Sequence, residues 1–373
     1  MNDISRDSFQ AAVVRQQGGP FVLENVGLLD LRDDEVRVRV VATGMCHTDM
    51  VARDQMYPVP QPIVLGHEGA GVVDAVGPSV RKVAPGDHVV LTFLSCGYCR
   101  PCEEGAPASC ERFNDLNFSG QRHDGSHALH DHEQEVLNDR FFGQSSFGQY
   151  AIANERNVIK VRQDAPLELL GPLGCGIQTG AGAVINALKV GPGSSFAAFG
   201  GGAVGLSAVL AARASGATII FAIDVVPSRL ELARELGATH VINSREQNPV
   251  EVIRQVTGSG VDFALDSTGI APVIRSAVLA LRPRGKCGIA GASKPGTDLA
   301  LDVNDLMQNC KHIFGIVEGD SVPDIFIPQL VDLFMQGRFP FDKLVKFYAF
   351  DQINQAAEDS EKGSTLKPIV RIP

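Results

Sequence analysis

The sequence predicts an α/β fold in which a doubly wound, dinucleotide-binding domain is inserted into a mainly β domain. Residues 194–224 form the pattern strand, glycine-rich turn, helix and second strand, which is a βαβ unit. Helices and strands continue to alternate over residues 228–291, as they do in a parallel sheet. The flanking segments, residues 11–42 and 366–373, are rich in β-forming side chains.

The glycine-rich turn of the βαβ unit contains the pattern Gly-x-Gly-x-x-Gly, formed by Gly200, Gly202 and Gly205. In order, these glycines would permit a tight turn, close approach of a pyrophosphate, and close packing of helix on strand. The phosphates would lie on free N–H groups of Ala203 and Val204 at the helix start. Asp224 ends the second strand, where it would bind the adenosine ribose hydroxyls and favour NAD over NADP. A glycine trio alone would predict only a turn, but this context predicts a dinucleotide site.

Composition and charge exclude several classes of function. A chain of 373 residues, 44% hydrophobic and 20% charged, is typical of a globular protein of two domains. The net charge of −10 and the lack of a Lys/Arg cluster argue against nucleic acid or an anionic membrane as partner. The polar N-terminus and the absence of a long apolar run predict a cytoplasmic protein.

Three separated residues, Cys46, His67 and Cys175, are candidate ligands of one metal ion. Glycine-rich bends place Cys46 and His67 at the edges of apolar segments, and Cys175 comes just before the dinucleotide-binding segment. Each residue on its own is more often structural than metal-bound. Together, two thiolates and one imidazole leave a fourth position open, which is the arrangement of a catalytic zinc.

A second metal site is predicted where four cysteines follow one another with the spacing C-x2-C-x2-C-x7-C. They are Cys96, Cys99, Cys102 and Cys110. Turn-forming glycines and prolines surround them, and four thiolates so close together match a closed, structural zinc site. Disulfides are the alternative, which a reducing compartment disfavours.

Several other histidines and cysteines receive ordinary structural interpretations. His88 is interpreted as a hydrogen-bonded or exposed structural histidine, and Cys287 and Cys310 as core residues. Residues 113–142 are polar and irregular, and they contain His123, His127, His130 and His132. Because their spacing fits no known metal site, we interpret this segment as a solvated loop, which could also contribute to a subunit contact.

The order of the remaining elements sets the predicted domain boundaries. Helices are predicted at 228–238, 249–258, 325–336 and 353–363, and strands at 240–243, 261–269, 286–291, 339–350 and 366–373. Residues 1–176 are therefore assigned to a catalytic domain and residues 177–312 to the NAD-binding domain. Residues 313–373 are expected to return to the catalytic domain, with the active site in the cleft between the two.

Taken in order, the motifs resemble those of zinc-dependent alcohol dehydrogenases of the medium-chain dehydrogenase/reductase superfamily. The resemblance covers nearly the whole chain and rests on GMCHTD, GHEGAG, the four-cysteine segment, GCGIQTGAGA, GGGAVG and Asp224. It implies a Rossmann domain inserted in a GroES-like catalytic domain, with NAD, one catalytic and one structural zinc, and a homodimer or homotetramer. Within the superfamily, the runs NFSG, RFFGQSSFGQYA and LVKFYAFDQINQA are most similar to the aryl-alcohol (benzyl-alcohol) dehydrogenases.

The resemblance also assigns roles around the catalytic zinc, with Cys46, His67 and Cys175 as its ligands and the four clustered cysteines on the structural ion. Asp49 matches a carboxylate that orients the ligand histidine. Glu68 matches a carboxylate close behind the metal that can transiently approach it, and Thr48 matches the hydroxyl that bonds the alcohol. Val51 departs from the family, because many relatives have a histidine there that completes a proton relay.

On the cofactor side, Asp224 and Arg229 match the residues that contact the adenosine ribose. His47 and Lys367 occupy positions that are commonly basic and face the pyrophosphate. His47 could also serve as a base that receives the proton from Thr48. Thr268, which follows a predicted strand, is assigned to the cofactor as well.

The function implied by the resemblance is oxidation of an aromatic primary alcohol to the aldehyde, with hydride transfer to NAD. Phe93 and Phe118 are candidates to line the substrate site. Glutathione-dependent formaldehyde dehydrogenase and general alcohol dehydrogenase are the alternatives among enzymes. Zinc-free quinone reductases lack this ligand set. From another class, a non-catalytic NAD-binding protein remains an alternative.

Overall fold

The computed structural model describes residues 8–373. Its strands are β1 Ser8–Val14, β2 Phe21–Leu28, β3 Glu35–Gly44, β4 Ile63–Val64, β5 Glu68–Val76, β6 His88–Leu91, β7 Leu129–His130, β8 Val136–Leu137, β9 Tyr150–Asn154, β10 Val158–Lys160, β11 Ser195–Phe199, β12 Ile219–Asp224, β13 His240–Asn243, β14 Val261–Asp266, β15 Leu281–Ile289, β16 His312–Gly315, β17 Val345–Ala349 and β18 Lys367–Arg371.

The helices are shorter on average in the N-terminal half of the chain. They are α1 His47–Arg53, α2 Arg100–Glu103, α3 Phe113–Phe118, α4 Leu167–Leu170, α5 Gly176–Gly182, α6 Ala203–Ala214, α7 Pro227–Leu236, α8 Pro249–Thr257, α9 Ala271–Leu279, α10 Val303–Gln308, α11 Pro323–Met335 and α12 Ile353–Glu361. Within residues 8–373, no helix has both the length and the apolar character needed to cross a bilayer.

The chain folds as two compact units. The first comprises residues 8–175 together with Val322–Met335 and Asp342–Pro373. The second comprises Gly176–Ser321 and Gln336–Phe341. The chain thus enters the second unit twice, at Gly176 and at Gln336, and it returns to the first unit at Val322 and at Asp342.

The first unit is built on two β-sheets. One has the strand order β4-β1-β2-β7-β8, and the other β10-β6-β5-β3-β18-β17 with β9 also paired to β3. The alternating sequence of β3, EVRVRVVATG, directs its valines inward, and Val36 and Val38 are fully buried. Their core continues through Phe21 and Phe147, whose rings meet edge to face at 5.5 Å.

Strand pairing in the larger sheet brings three strand ends together. Gly44, the last residue of β3, lies opposite Glu68, the first residue of β5. On its other side Gly44 lies opposite Ile369 of β18. The residues that follow β3, precede β5 and begin β18 therefore meet at one edge of this sheet.

The second unit is a doubly wound parallel sheet with the order β13-β12-β11-β14-β15-β16. Its central strand β11, SFAAF, is buried along its whole length, as a strand covered by helices on both faces must be. The order reverses at β11, so that the turns after β11 and β14 lie at the switch point where such sheets bind ligands. This confirms the predicted fold class.

Three sequence-based assignments of structure were wrong. The segment 113–142 is not a continuous loop, because it forms α3 and the pair β7–β8, which joins β2 in the first sheet. Within 339–350 only Val345–Ala349 is a strand. The strand His312–Gly315 belongs to the sheet of the second unit, which therefore extends past the predicted limit of residue 312.

Candidate metal centre and cofactor site

Cys46, His67 and Cys175 lie together at the sheet edge where β3 and β5 meet. Cys46 caps the N-terminus of α1, His67 precedes β5, and Cys175 follows a 3-10 turn formed by Gly171–Gly174. One ligand atom from each of these residues, and one oxygen of Glu68, all lie within 4.8 Å of one another. Residues more than a hundred positions apart in the sequence thus form one cluster of potential metal ligands.

Asp49 ties two members of this cluster to each other. Its Oδ1 lies 2.9 Å from His67 Nδ1 and accepts the backbone N–H of Gly66 at 3.1 Å. Its Oδ2 accepts the backbone N–H of Cys46 at 2.9 Å. Because a buried carboxylate can only accept here, Nδ1 of His67 carries the proton, and Nε2 is left as the metal-binding nitrogen.

The chemistry of the cluster fits a zinc ion. Nε2 of His67 is buried and has no hydrogen-bond partner within residues 8–373. The contact with Cys175 and the nearby charge of Lys367 hold the pKa of Cys46 well below its usual value, against the effect of burial. Burial acts to lower the pKa of His67, but the charge and hydrogen bond of Asp49 raise it overall. An unpartnered imidazole nitrogen beside two thiols, one with a strongly lowered pKa, is a donor set that zinc prefers.

Lys367, which the resemblance assigns to the pyrophosphate, lies in a buried ion pair with Glu68, and its cofactor role stays a prediction. Its side chain is only 2% exposed and its Nζ lies 2.8 Å from Oε1 and 3.0 Å from Oε2 of Glu68. Burial raises the pKa of Glu68, although the charge of Lys367 acts in the opposite direction. Burial acts to lower the pKa of Lys367, but the charges of Glu68 and Cys46, together with the hydrogen bond to Glu68, raise this pKa overall. Lys367 is therefore a positive charge behind the metal cluster.

The residues assigned to proton transfer lie on the first turn of α1. Thr48 is half-buried, and its Oγ1 lies 3.8 Å from Cys46 Sγ. His47, one residue earlier, is exposed, so that its ring can exchange protons with water. Val51 is buried and apolar, so that this position offers no proton-carrying group.

A cluster of aromatic side chains covers the imidazole of His67. The sequence analysis did not predict most of its members. Phe142 stacks on His67 with ring centroids 4.5 Å apart, and Phe141 meets the same ring edge to face at 5.4 Å. The cluster extends through edge-to-face or tilted contacts to Tyr57, Phe93, Phe113 and Phe118. Of its members, only Phe93 and Phe118 were proposed from the sequence; Phe141 and Phe142 appeared there only within the run RFFG.

The backbone that carries Phe141 and Phe142 is conformationally unusual. Arg140, Phe142 and Ser145 have φ of 69°, 52° and 51°, in the left-handed region that non-glycine residues rarely adopt. Gln144 anchors this segment to the metal cluster, because its Nε2 donates to the carbonyl of His67 at 2.9 Å. Such backbone strain is typical of functional sites, but it cannot be predicted from the types or spacing of these residues.

The four clustered cysteines also lie together. All four are free thiols, and the Sγ–Sγ distances of Cys99 to Cys102 and to Cys110 are 3.4 and 3.8 Å. These distances exceed a disulfide bond of about 2 Å and approach the roughly 3.8 Å between thiolates on one zinc. Burial acts in the opposite direction, but N–H groups of Tyr98 and Cys99 lower the pKa of Cys96 to about 6. The site therefore fits a second, fully enclosed zinc ion.

The glycine-rich turn of the second unit has the geometry of a dinucleotide site. Gly200 has φ of 107°, and a Cβ on Gly205 would lie 1.8 Å from the carbonyl oxygen of Gly200. A Cβ on Gly202 would meet nothing within 4 Å, so that this backbone is open to a ligand. The helix α6 starts at Ala203 with no side-chain cap, which leaves the first N–H groups, including that of Val204, available to phosphate.

Asp224 stands at the end of β12, beside this turn. Its Oδ2 accepts the N–H of Gly201 at 2.6 Å and its Oδ1 accepts those of Val225 and Val226. Arg229 lies 3.8 Å away and its buried Nε has no hydrogen-bond partner within the described chain. Thr268 follows β14, and its hydroxyl donates to Asp266 at 2.7 Å.

The remaining histidines form no further metal cluster in the part of the chain that the structure describes. His123 contacts the guanidinium of Arg112, His130 contacts the carbonyl of Asp131, and His132 is exposed. Among residues 8–373, His127 and His88 each have a buried Nδ1 without a hydrogen-bond partner, so half-buried His88 is neither exposed nor fully hydrogen-bonded.

The two cysteines assigned to the core have different environments. Cys287 is fully buried, as predicted. Cys310 is exposed, because it lies in the turn after α10, where its backbone φ is 48°.

Comparison with known families matches both halves of the chain. Residues 32–163 match the family described as alcohol dehydrogenase GroES-like domain. Residues 203–335 match the family described as zinc-binding dehydrogenase. The first range contains the candidate ligands Cys46 and His67 and the four clustered cysteines. The second range begins just after the first two glycines of the dinucleotide pattern.

Similar proteins cover nearly the whole chain. A geraniol dehydrogenase of Castellaniella defragrans is 50% identical over 97% of this chain and 97% of its own length. The crystal structure of benzyl alcohol dehydrogenase from Acinetobacter calcoaceticus has a TM-score of 0.95 at 56% identity, covering 98% of this chain and 99% of that one. An alcohol dehydrogenase zinc-binding domain protein from Burkholderia ambifaria has a TM-score of 0.97 at 61% identity, with coverage of 98% and 99%.

Proposed function

This chain belongs to the zinc-dependent medium-chain alcohol dehydrogenases, and on that premise we propose that it oxidises a benzyl-type primary alcohol to the aldehyde with NAD as hydride acceptor. The observation that supports an aromatic substrate is the cluster of aromatic rings on His67, with Phe142 stacked at 4.5 Å. Rings packed in offset or edge-to-face contacts favour another flat, apolar ring. The similar benzyl alcohol dehydrogenase is consistent with this choice.

A second candidate substrate is an allylic alcohol of the geraniol type, because a relative of 50% identity is a geraniol dehydrogenase. Benzylic and allylic alcohols share a primary carbinol carbon next to an sp² carbon. Both therefore yield a conjugated aldehyde, and conjugation makes the carbinol carbon a good hydride donor. The two candidates differ in the shape of the group that follows this carbon.

In the proposed reaction the protein holds and orients the reacting groups. Zinc, bound by Cys46, His67 and Cys175, would lower the pKa of the alcohol, as a Lewis acid does for bound hydroxyl groups. Asp49 keeps His67 in the tautomer that binds metal. Thr48 would accept the hydroxyl proton, and because Val51 cannot carry it further, the exposed ring of His47 would pass it to water.

The bound NAD would accept the hydride at its nicotinamide ring. We propose that its pyrophosphate lies on the N–H groups that start α6 and its adenosine ribose on Asp224, with Arg229 and Thr268 at the same edge of the sheet. The four-cysteine site would hold a second, structural zinc, which makes two ions per chain. Location in the cytoplasm stays a prediction.

A substrate panel tests the proposed function directly. We expect kcat/KM to be highest for benzyl alcohol, lower for geraniol, and much lower for the saturated analogue cyclohexylmethanol. Phe142→Ala should lower kcat/KM for benzyl alcohol about 3- to 10-fold, in line with the energy of one aromatic contact. Phe347→Ala, an aromatic residue of β17 that packs under Arg371, is the control.

Equal rates with cyclohexylmethanol would contradict the proposal of a benzylic or allylic substrate. A higher rate with geraniol, unaffected by Phe142→Ala, would favour the allylic candidate. Turnover of formaldehyde that requires glutathione would identify the glutathione-dependent alternative instead.

A further inference from the structure

The turn that carries the aromatic rings on His67, residues 140–145, has a backbone that the rest of the fold must hold in place. Arg140, Phe142, Gly143 and Ser145 have φ of 69°, 52°, 67° and 51°. Three of these four residues have a side chain, which makes the left-handed region unfavourable for them. Such a conformation persists only where the surrounding contacts determine it. We therefore asked which contacts hold this turn.

The side chain of Gln144 ties the turn to the backbone around a candidate metal ligand. Its Nε2 donates to the carbonyl of His67 at 2.9 Å and to that of Thr92 at 3.1 Å. Its Oε1 accepts the N–H of Gly69 at 3.1 Å. Gln144 is only 1% exposed, so that its amide depends on these three backbone groups. The amide thus fixes the turn relative to His67.

Ser145 makes a second connection from the same turn. Its hydroxyl accepts the N–H of Phe141 at 3.0 Å and donates to the carbonyl of Val64 at 2.6 Å. The first bond closes the turn on itself, and the second ties it to β4. Ser145 is also buried, at 3% exposure.

Two glycines allow the chain after this turn to lie directly against the residues around His67. A Cβ on Gly66 would lie 2.5 Å from the ring of Phe147, and a Cβ on Gly69 would lie 2.7 Å from the Cβ of Ser146. Neither position has room for a side chain. The two stretches are therefore packed without a gap, and the bonds of Gln144 and Ser145 set how the turn is oriented on this support.

From this geometry we infer that Gln144 and Ser145 are positioning residues for substrate selection. They hold the ring of Phe142 on His67, with centroids 4.5 Å apart and ring planes 30° apart. A ring fixed in this way favours an alcohol whose carbinol carbon carries a flat group, because flat rings pack on each other better than puckered ones. The inference rests on the proposed function, and it names the residues that make the site selective without touching the substrate.

The binding of two product analogues tests this inference without turnover. Benzamide and cyclohexanecarboxamide both carry a carbonyl next to a six-membered ring, like the aldehyde product, but only the ring of benzamide is flat. Calorimetric titration of zinc-loaded protein saturated with NADH gives the ratio of their Kd values. We expect wild type to prefer benzamide. Gln144→Met, similar in shape but without hydrogen bonds, should lower this preference about 3- to 10-fold, the worth of one aromatic contact.

Gln149→Met is the matched control. Gln149 lies five residues further along the chain, and its amide also bonds only backbone, at Gln10 and Pro373. These groups are outside the aromatic cluster on His67, so the preference for benzamide should stay as in wild type. An equal loss of preference in both glutamine variants would contradict a specific role of Gln144.

A double variant distinguishes positioning from a general loss of stability. Phe142→Ala should lower the preference as far as Gln144→Met does, and the two changes together should lower it no further, because both remove the same contact. A merely structural glutamine would lower the free energy of unfolding and leave the preference unchanged. An unchanged preference, or losses that add in the double variant, would overturn the inference.

Because the loss of three buried hydrogen bonds can prevent folding, Ser145→Ala provides a second test. It removes the bonds to Phe141 and Val64 and should also lower the preference for benzamide, by about 3-fold or more. This loss should again not add to that of Phe142→Ala. A folded Ser145→Ala variant with the preference of wild type would count against the inference.

The same measurements separate this inference from the proposed function. The expected amide results in a protein that oxidises no alcohol would contradict only the proposed function. A wild type that oxidises benzyl alcohol but binds the two amides equally well would contradict only the inference.

Discussion

At the scale of single residues, Asp49 holds two of the candidate metal ligands, Cys46 and His67, in position. It fixes the proton of His67 on Nδ1, and it holds the backbone at Cys46 and Gly66. The sequence indicated this role only through a family match at its position, because nothing in residues 46–49 shows that His67 lies nearby. The structure supplies the reason, since the turn into α1 directs Asp49 toward the residue that precedes β5.

We therefore expect Asp49→Asn to weaken zinc retention and kcat about 10- to 100-fold, as for other carboxylates that orient a ligand histidine. The amide retains the shape but loses the charge that secures the Nδ1 proton. Zinc content after dialysis against a chelator, measured together with kcat, checks this. Asp54→Asn, just beyond the same helix and paired with Arg53 at the surface, is the matched control. Equal zinc retention in the two variants would contradict the role given to Asp49.

Asp224 is the residue that we propose to select the cofactor. Replacing it with glycine should lower kcat/KM for NAD about 10-fold or more and raise the relative use of NADP, because charge-assisted hydrogen bonds and a repelling charge are both lost. The measured quantity is the ratio of kcat/KM for the two cofactors. Glu251→Gln, an exposed acid of α8 in the same unit, should leave the ratio unchanged. An unaltered ratio in Asp224→Gly would mean that the carboxylate does not select the cofactor.

At the scale of elements, the segment from Cys96 to Cys110 has so small a hydrophobic core that we expect the proposed structural zinc to hold it in place. The helix α2 has no buried residue, and the next turn, Pro107–Ser109, buries only Ala108. So little apolar burial cannot order a segment of this length by itself. The spacing of the four cysteines was sufficient to predict this site, because all its ligands come from one short stretch of chain.

Cys102→Ser should reduce the zinc content from two ions to one per chain and make this segment sensitive to proteases, since three ligands no longer enclose the ion. Metal analysis and limited proteolysis check these two effects. Cys310→Ser, which removes an exposed thiol outside both clusters, should retain two ions. A full zinc content in Cys102→Ser would rule out the proposed structural ion.

The start of β3 supports the strained segment that carries Phe141 and Phe142. Glu35 pairs with Arg140, the first residue of that segment, and with Arg122 at 2.8 Å, all three side chains being buried. These contacts join residues about a hundred positions apart. The periodicity of β3 predicts a strand but not a buried charged side chain at its start, so this network could not be predicted from the sequence.

Glu35→Gln should lower the free energy of unfolding by about 3–5 kcal/mol, because two arginines then lose their shared, buried counter-charge. Chemical denaturation of the zinc-loaded protein measures this. Asp164→Asn breaks the exposed pair with Arg162 and should lower the free energy of unfolding far less, because water screens an exposed ion pair. A similar small loss in both variants would mean that the Glu35 network does not hold this segment.

At the scale of the whole molecule, the sheet of the second unit has β16 as an edge strand. The helix that precedes this strand, α10, exposes two apolar side chains. Strand β16 pairs with β15 and is the last strand of its sheet. Val303 and Met307, one turn apart on α10, are 75% and 64% exposed. Open strand edges and exposed apolar residues favour pairing with another chain. These features support the expectation of a homodimer or homotetramer.

Val303→Glu combined with Met307→Glu should therefore shift the protein toward smaller species, as measured by light scattering after size-exclusion chromatography. Charges at an apolar contact oppose association because they must lose water. Val256→Glu, at another exposed apolar position of the same unit, should leave the molar mass unchanged. A wild-type monomer at the same concentration, or an unchanged mass of the double variant, would contradict this surface as the subunit contact.

The sequence by itself determined the α/β fold, the inserted dinucleotide-binding domain and the two groups of candidate metal ligands. These features depend on local periodicity, on glycines required by a turn, and on ligand types with a short spacing. The tertiary structure alone decided what surrounds the candidate catalytic site: the aromatic rings on His67, the buried network at Glu35, and the contact of Lys367 with Glu68. Each of these joins strands or turns that are far apart in the chain, and strand pairing with core packing sets them, so that no pattern along the sequence contains them.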